Sequence, residues 1–214
     1  MKCYCTQTED AFYYVVDDAP EYSYNLIEKA FYIRHGDSFK KWYPVDMPDK
    51  EIVVPNYERL APNIYLRNKA NWEEALDKFC YIAKKHSIDF ILRGSVVACI
   101  NGININPTDI DVNIDVSSFE KMHIAFKYNV IEPFVYNDSL MMVRYFGRIC
   151  LGNMWIDTSA FPKKGYEITD IHVTIWNGHI IKTQSLTSCL QIYQQIGKLD
   201  YVQAIEAFLK MNSE

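Results

Sequence analysis

The chain has 214 residues, 49% hydrophobic and 23% charged, with only 8 glycines and 8 prolines, which excludes disordered, collagen-like and low-complexity classes. A chain this long is expected to form one elaborated domain, or a core with a small appendage. It can bury roughly 70% of its unfolded surface without disulfide staples. Lys and Arg number 22 against 27 Asp and Glu, a formal net charge of −5, which argues against general affinity for a nucleic-acid backbone and leaves room for a local basic groove.

At the amino end, MKCYCTQTED meets acidic residues before any apolar run forms. No stretch approaches the roughly 18 apolar residues of a membrane span, so neither a signal peptide nor a spanning helix is expected. A cytoplasmic protein with reduced thiols follows, since Cys80 and Cys99 sit among apolar neighbours and the cysteines show no framework spacing. Cys3 and Cys5 lack a second Cys/His pair at zinc-site spacing and read as a bland terminal segment. Residues 1–70 carry Pro20, Pro44, Pro48, Pro55 and Pro62, which rules out long uninterrupted elements there and predicts an irregular extension with one short helix around 22–33. Its many aromatic side chains predict packing onto the rest of the chain.

Asn71 with Glu74 three residues on, then Trp72, Leu76, Phe79, Cys80 and Ala83 at helical spacing, predicts an amphipathic helix over 71–86. A short apolar strand over 88–93 leads into Gly94-Ser95 and a small-residue helical turn over 96–100, and 101–107 reads as a loop. Alternation over 109–116 predicts a strand with Ile110, Val112, Ile114 and Val116 on one face and Asp109, Asp111, Asn113 and Asp115 on the other. Ser117 with Glu120 predicts a helix reaching about Tyr128, and 140–146 and 154–161 read as strands. Asn177-Gly178 joins 173–176 to 179–183 as a hairpin. Ser185 caps a helix ending at Gly197, and another helix covers about 199–210. The expected class is α+β, a mixed sheet flanked by helices over 71–184, with a C-terminal helical pair over 185–214 and the extension over 1–70.

Asp109 and Asp111 leave the same face of their strand with α-carbons about 6.5 to 7 Å apart. Two such charges within about 4 Å of each other repel by roughly 4 kcal/mol at an effective dielectric near 20, which a cation would compensate. Mg²⁺ suits such a place, being hard, octahedral and usually held by one or two carboxylates plus substrate phosphates. The alternative is a solvated face of an edge strand. Gly94-Ser95 adds a turn where backbone amides and a hydroxyl can approach a phosphate.

Leu92-Arg93-Gly94-Ser95, thirteen intervening residues and Asp109-Ile110-Asp111-Val112 together resemble the signature of the DNA polymerase beta-like nucleotidyltransferase superfamily. The hairpin at Asn177-Gly178, followed by Lys182, Ser185-Leu186 and two helices, is similar to the tail of small bacterial members such as lincosamide-modifying and toxin-type transferases. The resemblance covers about 72–210. It implies a third carboxylate on a later strand, matched by Asp157 in Met154-Trp155-Ile156-Asp157-Thr158; Asp115, the competitor, lies too far along its own strand. It further implies catalytic and metal-binding roles for Asp109, Asp111 and Asp157 with Mg²⁺ or Mn²⁺, and nucleotide binding by Gly94, Ser95, Arg93 and Lys182.

The implied reaction moves a nucleoside monophosphate from a nucleoside triphosphate to a hydroxyl or amine acceptor. Net charge favours a small-molecule acceptor over nucleic acid, with tRNA or protein remaining as other choices, and residues 1–70 are expected to cover one wall of the acceptor cleft. The alternative function is a catalytically inactive nucleotide- or protein-binding module, or a toxin–antitoxin component. Arg93 and Lys182 also suit plain surface positions. Arg144 and Arg148, on the strands leading to Asp157, read first as surface charges paired with nearby acids and second as partners for triphosphate charge. His35, His172 and His179 form no metal set, and Leu186, Leu190 and Tyr193 read as core packing.

Overall fold

The computed structural model describes residues 1–136, 143–165 and 167–212. The first seventy residues are more regular than their prolines suggest. Strands β1 (Lys2–Gln7), β2 (Phe12–Asp17), β3 (Ile33–His35) and β4 (Ser38–Tyr43) form an antiparallel sheet in the order β1-β2-β4-β3, with a short helix α1 (Tyr24–Lys29) between β2 and β3. A second helix, α2 (Lys50–Tyr65), runs through both Pro55 and Pro62. Each proline removes a helical hydrogen bond at a cost of about 3 kcal/mol. Burial offsets it: Val53, Tyr57, Leu60, Ala61 and Ile64 recur at helical spacing and are at most 8% exposed. The expectation of an irregular segment fails because this apolar spacing outweighs the breakers.

The larger sheet has seven strands, β5 (Phe90–Arg93), β6 (Ile110–Ile114), β7 (Val130–Tyr136), β8 (Val143–Leu151), β9 (Met154–Pro162), β10 (Ile171–Trp176) and β11 (His179–Gln184). Their order is β10-β11-β5-β6-β9-β8-β7. The pairs β11/β5 and β6/β9 are parallel and the others antiparallel, so the sheet is mixed, as expected. Helix α2 packs on both β1 and β7, and one continuous set of buried apolar side chains spans both sheets.

Strand β7 is absent from the sequence reading, because Pro133 interrupts its pattern. It lies at the sheet edge, where a proline is tolerated, and the register with β8 shifts on both sides of Glu132. The expected strand over 140–146 is present from 143 on, and 140–142 lie outside the described residues.

Helix α3 (Trp72–Lys85) buries Leu76, Phe79, Cys80 and Ala83 against this sheet, and Phe79 stacks on Phe126 with centroids 5.3 Å apart. Its capping box does not close. Asn71 Nδ2 donates to Glu74 Oε2 at 2.5 Å, while the Asn71 N–H donates to Asn153 Oδ1 at 3.1 Å. Helix α4 (Ser95–Ile100) follows β5 directly. The helix expected from Ser117 is α5 (Phe119–Ala125), preceded by a 3-10 turn over 116–118. The Ser117 N–H donates to Asp115 Oδ2 at 3.2 Å instead of Ser117 capping a longer helix.

The hairpin turn has positive φ at both Asn177 (46°) and Gly178 (78°), as its two-residue geometry demands. Ser185 Oγ accepts the Ser188 N–H at 3.1 Å and starts α6 (Leu186–Gln195), and α7 (Leu199–Met211) folds back after Gly197. All six cysteines are free thiols, and no helix among the described residues is long and apolar enough to cross a membrane.

Candidate active site

Cross-strand pairing lines up charged residues along one row of the large sheet. Arg93 on β5 is opposite Asp111 on β6, Asp111 is opposite Asp157 on β9, Asp157 is opposite Arg148 on β8, and Arg148 is opposite Glu132 on β7. Directly opposed residues share a face, with β-carbons about 4.5 to 5.5 Å apart. Asp109, in the bend before β6, joins them. One carboxylate oxygen from each of Asp109, Asp111 and Asp157 lies within 4.8 Å of the other two.

Burial, then the neighbouring Asp109 and Asp157 charges, push the Asp111 carboxyl up to about 7, opposed by Arg93 and Lys198. Burial also pushes Asp157 up, with Arg148 opposing. Three acids held this close favour a hard cation with oxygen ligands. The residues therefore fit a divalent cation of the Mg²⁺ type.

Gly94 is what lets Asp111 take its place. Its backbone, at φ +69° and ψ −151°, occupies a region open essentially to glycine alone. A β-carbon there would sit 2.3 Å from Asp111 Oδ2. The glycine thus serves the carboxylate as well as any phosphate. Ser95, at the start of α4, is 5% exposed beside it.

Arg93 is buried, not on the surface, at 7% exposure. Its Nε is enclosed without a hydrogen-bond partner among the described residues. Arg148 corrects the sequence reading outright. Read first as a surface charge, it is 1% exposed and held on both sides. Its Nε and Nη2 donate to Asp157 Oδ1 and Oδ2 at 2.6 and 2.9 Å, and its Nη1 donates to Glu132 Oε1 at 2.8 Å. Lys182 is not brought to the carboxylates. It lies opposite Ile91, one step along the sheet face from Arg93, and donates to both oxygens of the exposed Asp89 at 2.8 Å. Asp115 is exposed, with its carboxylate turned to Ser117.

Five contributors escaped the sequence reading. Glu132 lies in the unassigned strand β7, and Lys41 and Tyr43, which bond it, lie in the unassigned strand β4. Lys198, at the break between α6 and α7, lies 5.8 and 5.4 Å from the ring centroids of Tyr193 and Tyr201 and acts electrostatically on Asp111. A basic residue directly after the helix-ending Gly197 was the one local signal. Arg67, just past α2, donates to the Thr108 carbonyl immediately before Asp109 and to the Asn153 carbonyl at 2.7 Å.

Among solved structures, the chain is similar to a protein assigned as a nucleotidyltransferase from Thermotoga maritima, with TM-score 0.52 and 15% identity over 65% of this chain and 93% of that one. It is also similar to ANT(2'')-Ia, solved with adenylyl-2''-tobramycin, with TM-score 0.43 and 11% identity over 63% of this chain and 87% of that one. An antigenic nucleotidyltransferase-like protein from Paracoccidioides brasiliensis gives TM-score 0.40 and 12% identity over 64% of this chain and 77% of that one. No protein-family model and no curated protein sequence matches. Over the 65% of the chain that is matched, the fold is nucleotidyltransferase-like.

Proposed function

We propose that the protein is a metal-dependent nucleotidyltransferase that moves a nucleoside monophosphate from a nucleoside triphosphate to the hydroxyl or amine of an acceptor. The observation that carries this reading is the convergence of Asp109, Asp111 and Asp157 within 4.8 Å, beside a glycine turn and a buried arginine whose Nε has no hydrogen-bond partner among the described residues. These three residues hold the divalent cation, Mg²⁺ or Mn²⁺, which supplies charge stabilisation at the phosphoryl oxygens. Arg93, Ser95 and the backbone at Gly94 receive the triphosphate, and Arg148 fixes the direction of Asp157. Lys198 adds positive charge from the C-terminal helices.

In the reaction the acceptor oxygen or nitrogen bonds to the α-phosphorus. The bond from that phosphorus to the bridging oxygen breaks, and pyrophosphate leaves with the electron pair. The acceptor's proton passes to a carboxylate oxygen of the triad. Lys182, committed to Asp89, is left out of this scheme. The net charge of −5 favours a small-molecule acceptor over a polyanionic one.

The test incubates the protein with each labelled nucleoside triphosphate, Mg²⁺ and fractionated small molecules. Acceptor-dependent pyrophosphate release is expected, falling by roughly 10³-fold in Asp111→Asn, the scale of several kcal/mol that a bound metal supplies. Equal rates in wild type and variant would refute the reading.

A further inference from the structure

We infer that Lys41 and Tyr43, on the N-terminal sheet, are positioning residues for the aspartate triad, acting on Asp157 through Glu132 and Arg148. The inference rests on the reading of the triad as the cation site of nucleotidyl transfer. Lys41 and Tyr43 are two apart on β4 and share an inward face with the fully buried Phe39, while Trp42 points out at 58% exposure. Both reach the same atom. Lys41 Nζ and Tyr43 Oη each donate to Glu132 Oε2 at 2.6 Å. The other oxygen, Oε1, accepts Arg148 Nη1 at 2.8 Å.

This division decides how Arg148 is shared. Its guanidinium stands between two carboxylates, Glu132 and Asp157. Because Lys41 and Tyr43 occupy Oε2, Glu132 presents a single oxygen to Arg148, and the two-pronged edge formed by Nε and Nη2 is left for Asp157. Planar bidentate pairing of this kind fixes direction as well as distance. Without the N-terminal donors, Glu132 would hold a bare oxygen and an unbalanced charge at 2% side-chain exposure. Arg148 is the cation already bonded to it, so the guanidinium would be drawn toward Glu132 and away from Asp157.

Burial works against the Glu132 charge, and Arg148 and Lys41 together keep its carboxyl below the usual range. The Lys41 ammonium is itself confined, 5.5, 6.0 and 5.6 Å from the ring centroids of Phe31, Tyr32 and Tyr43. The chain of contacts passes by direct cross-strand register from Glu132 to Arg148, to Asp157 and to Asp111. A disturbance at β4 therefore arrives at the triad and not merely at the core.

The test measures Mn²⁺ binding to the full chain by calorimetry, together with thermal denaturation and steady-state kinetics. Tyr43→Phe should weaken Mn²⁺ binding about three-fold and Lys41→Met about ten-fold, in line with the loss of hydrogen bonds to a charged group. Lys41→Arg should restore binding, and Lys41→Met combined with Glu132→Gln should recover most of the loss by removing the unbalanced carboxylate. Where transfer is followed, kcat should fall in the same order with the KM for nucleotide unchanged. A lowered Tm with wild-type Mn²⁺ affinity in both Tyr43→Phe and Lys41→Met overturns the inference, because that is what a merely structural ion pair would give. Binding abolished by Asp111→Asn but untouched by either N-terminal variant overturns this inference alone. A wild-type protein that binds no Mn²⁺, or binds it regardless of Asp111→Asn, overturns the site reading and this inference with it.

Discussion

Arg93 and Arg148 flank the same pair of aspartates in one cross-strand row, and both are buried. They differ in what they bond. Arg148 uses Nε, Nη1 and Nη2 on two carboxylates, whereas the enclosed Nε of Arg93 has no hydrogen-bond partner among the described residues. A buried donor left without a partner costs about 1–3 kcal/mol, and such groups in native structures call for an explanation. The contrast divides the site in two. On the Arg148 flank, protein charges satisfy one another and set geometry; on the Arg93 flank, a buried donor is left without a partner among the described residues, which is where the proposed function puts the triphosphate.

The largest effect should come from the closed flank. Arg148→Met leaves Glu132 and Asp157 buried without their common cation, and should lower stability by roughly 3–5 kcal/mol. At about 2–4 °C per kcal/mol for a chain of this size, calorimetry should show a Tm drop of 6 °C or more. Gly94→Ala comes next, because its β-carbon meets Asp111 Oδ2 at 2.3 Å in a backbone region unsuited to alanine. It should lose about 1–3 kcal/mol of stability and, by displacing Asp111, about 10²-fold in transfer rate. Chemical denaturation and pyrophosphate release would read the two losses.

Arg93→Met sharpens the comparison in the opposite direction. Tm should hold or rise, while the KM for the triphosphate increases about ten-fold, the order expected from losing one charge-assisted contact. A Tm loss matching that of Arg148→Met would erase the distinction between the flanks.

The smallest effect is one of pH. The Asp111 carboxyl is raised to about 7 in the folded chain from an ordinary value of 3.8, so the folded state binds the extra proton between those values. Stability from this group is therefore present at low pH and is lost as pH rises through about 7. In metal-free buffer, Asp111→Asn should gain a few degrees of Tm relative to wild type between pH 5 and 8, on the order of 1–2 kcal/mol. Saturating Mg²⁺ should close that gap by stabilising wild type alone.

Much of the open flank was legible in the residues themselves. Gly94-Ser95 stands where the strand-to-helix change was expected, and Asp109, Asp111 and Asp157 converge, because strand alternation and glycine turns are local properties that spacing reveals. The closed flank was not legible. Arg148 on a strand looks like any outward charge until Asp157 and Glu132 are known to lie on either side of it. Glu132 itself sits beside Pro133 in a strand whose register shifts conceal its period. Lys41 and Tyr43 lie within a proline-scattered segment, and the helix through Pro55 and Pro62 exists because of the partners it buries.

By itself, the sequence determined the α+β class, the hairpin at Asn177-Gly178, the C-terminal helices and the three aspartates that converge. Tertiary structure alone decided that Lys182 belongs to Asp89, that Arg148 is interior, and that the N-terminal sheet touches the carboxylate row through Glu132. The physical reason is range. Alternation, capping and turn geometry act over a few bonded neighbours, whereas the protonation and direction of a buried carboxylate depend on charges brought beside it from distant strands, across a register that no local pattern records.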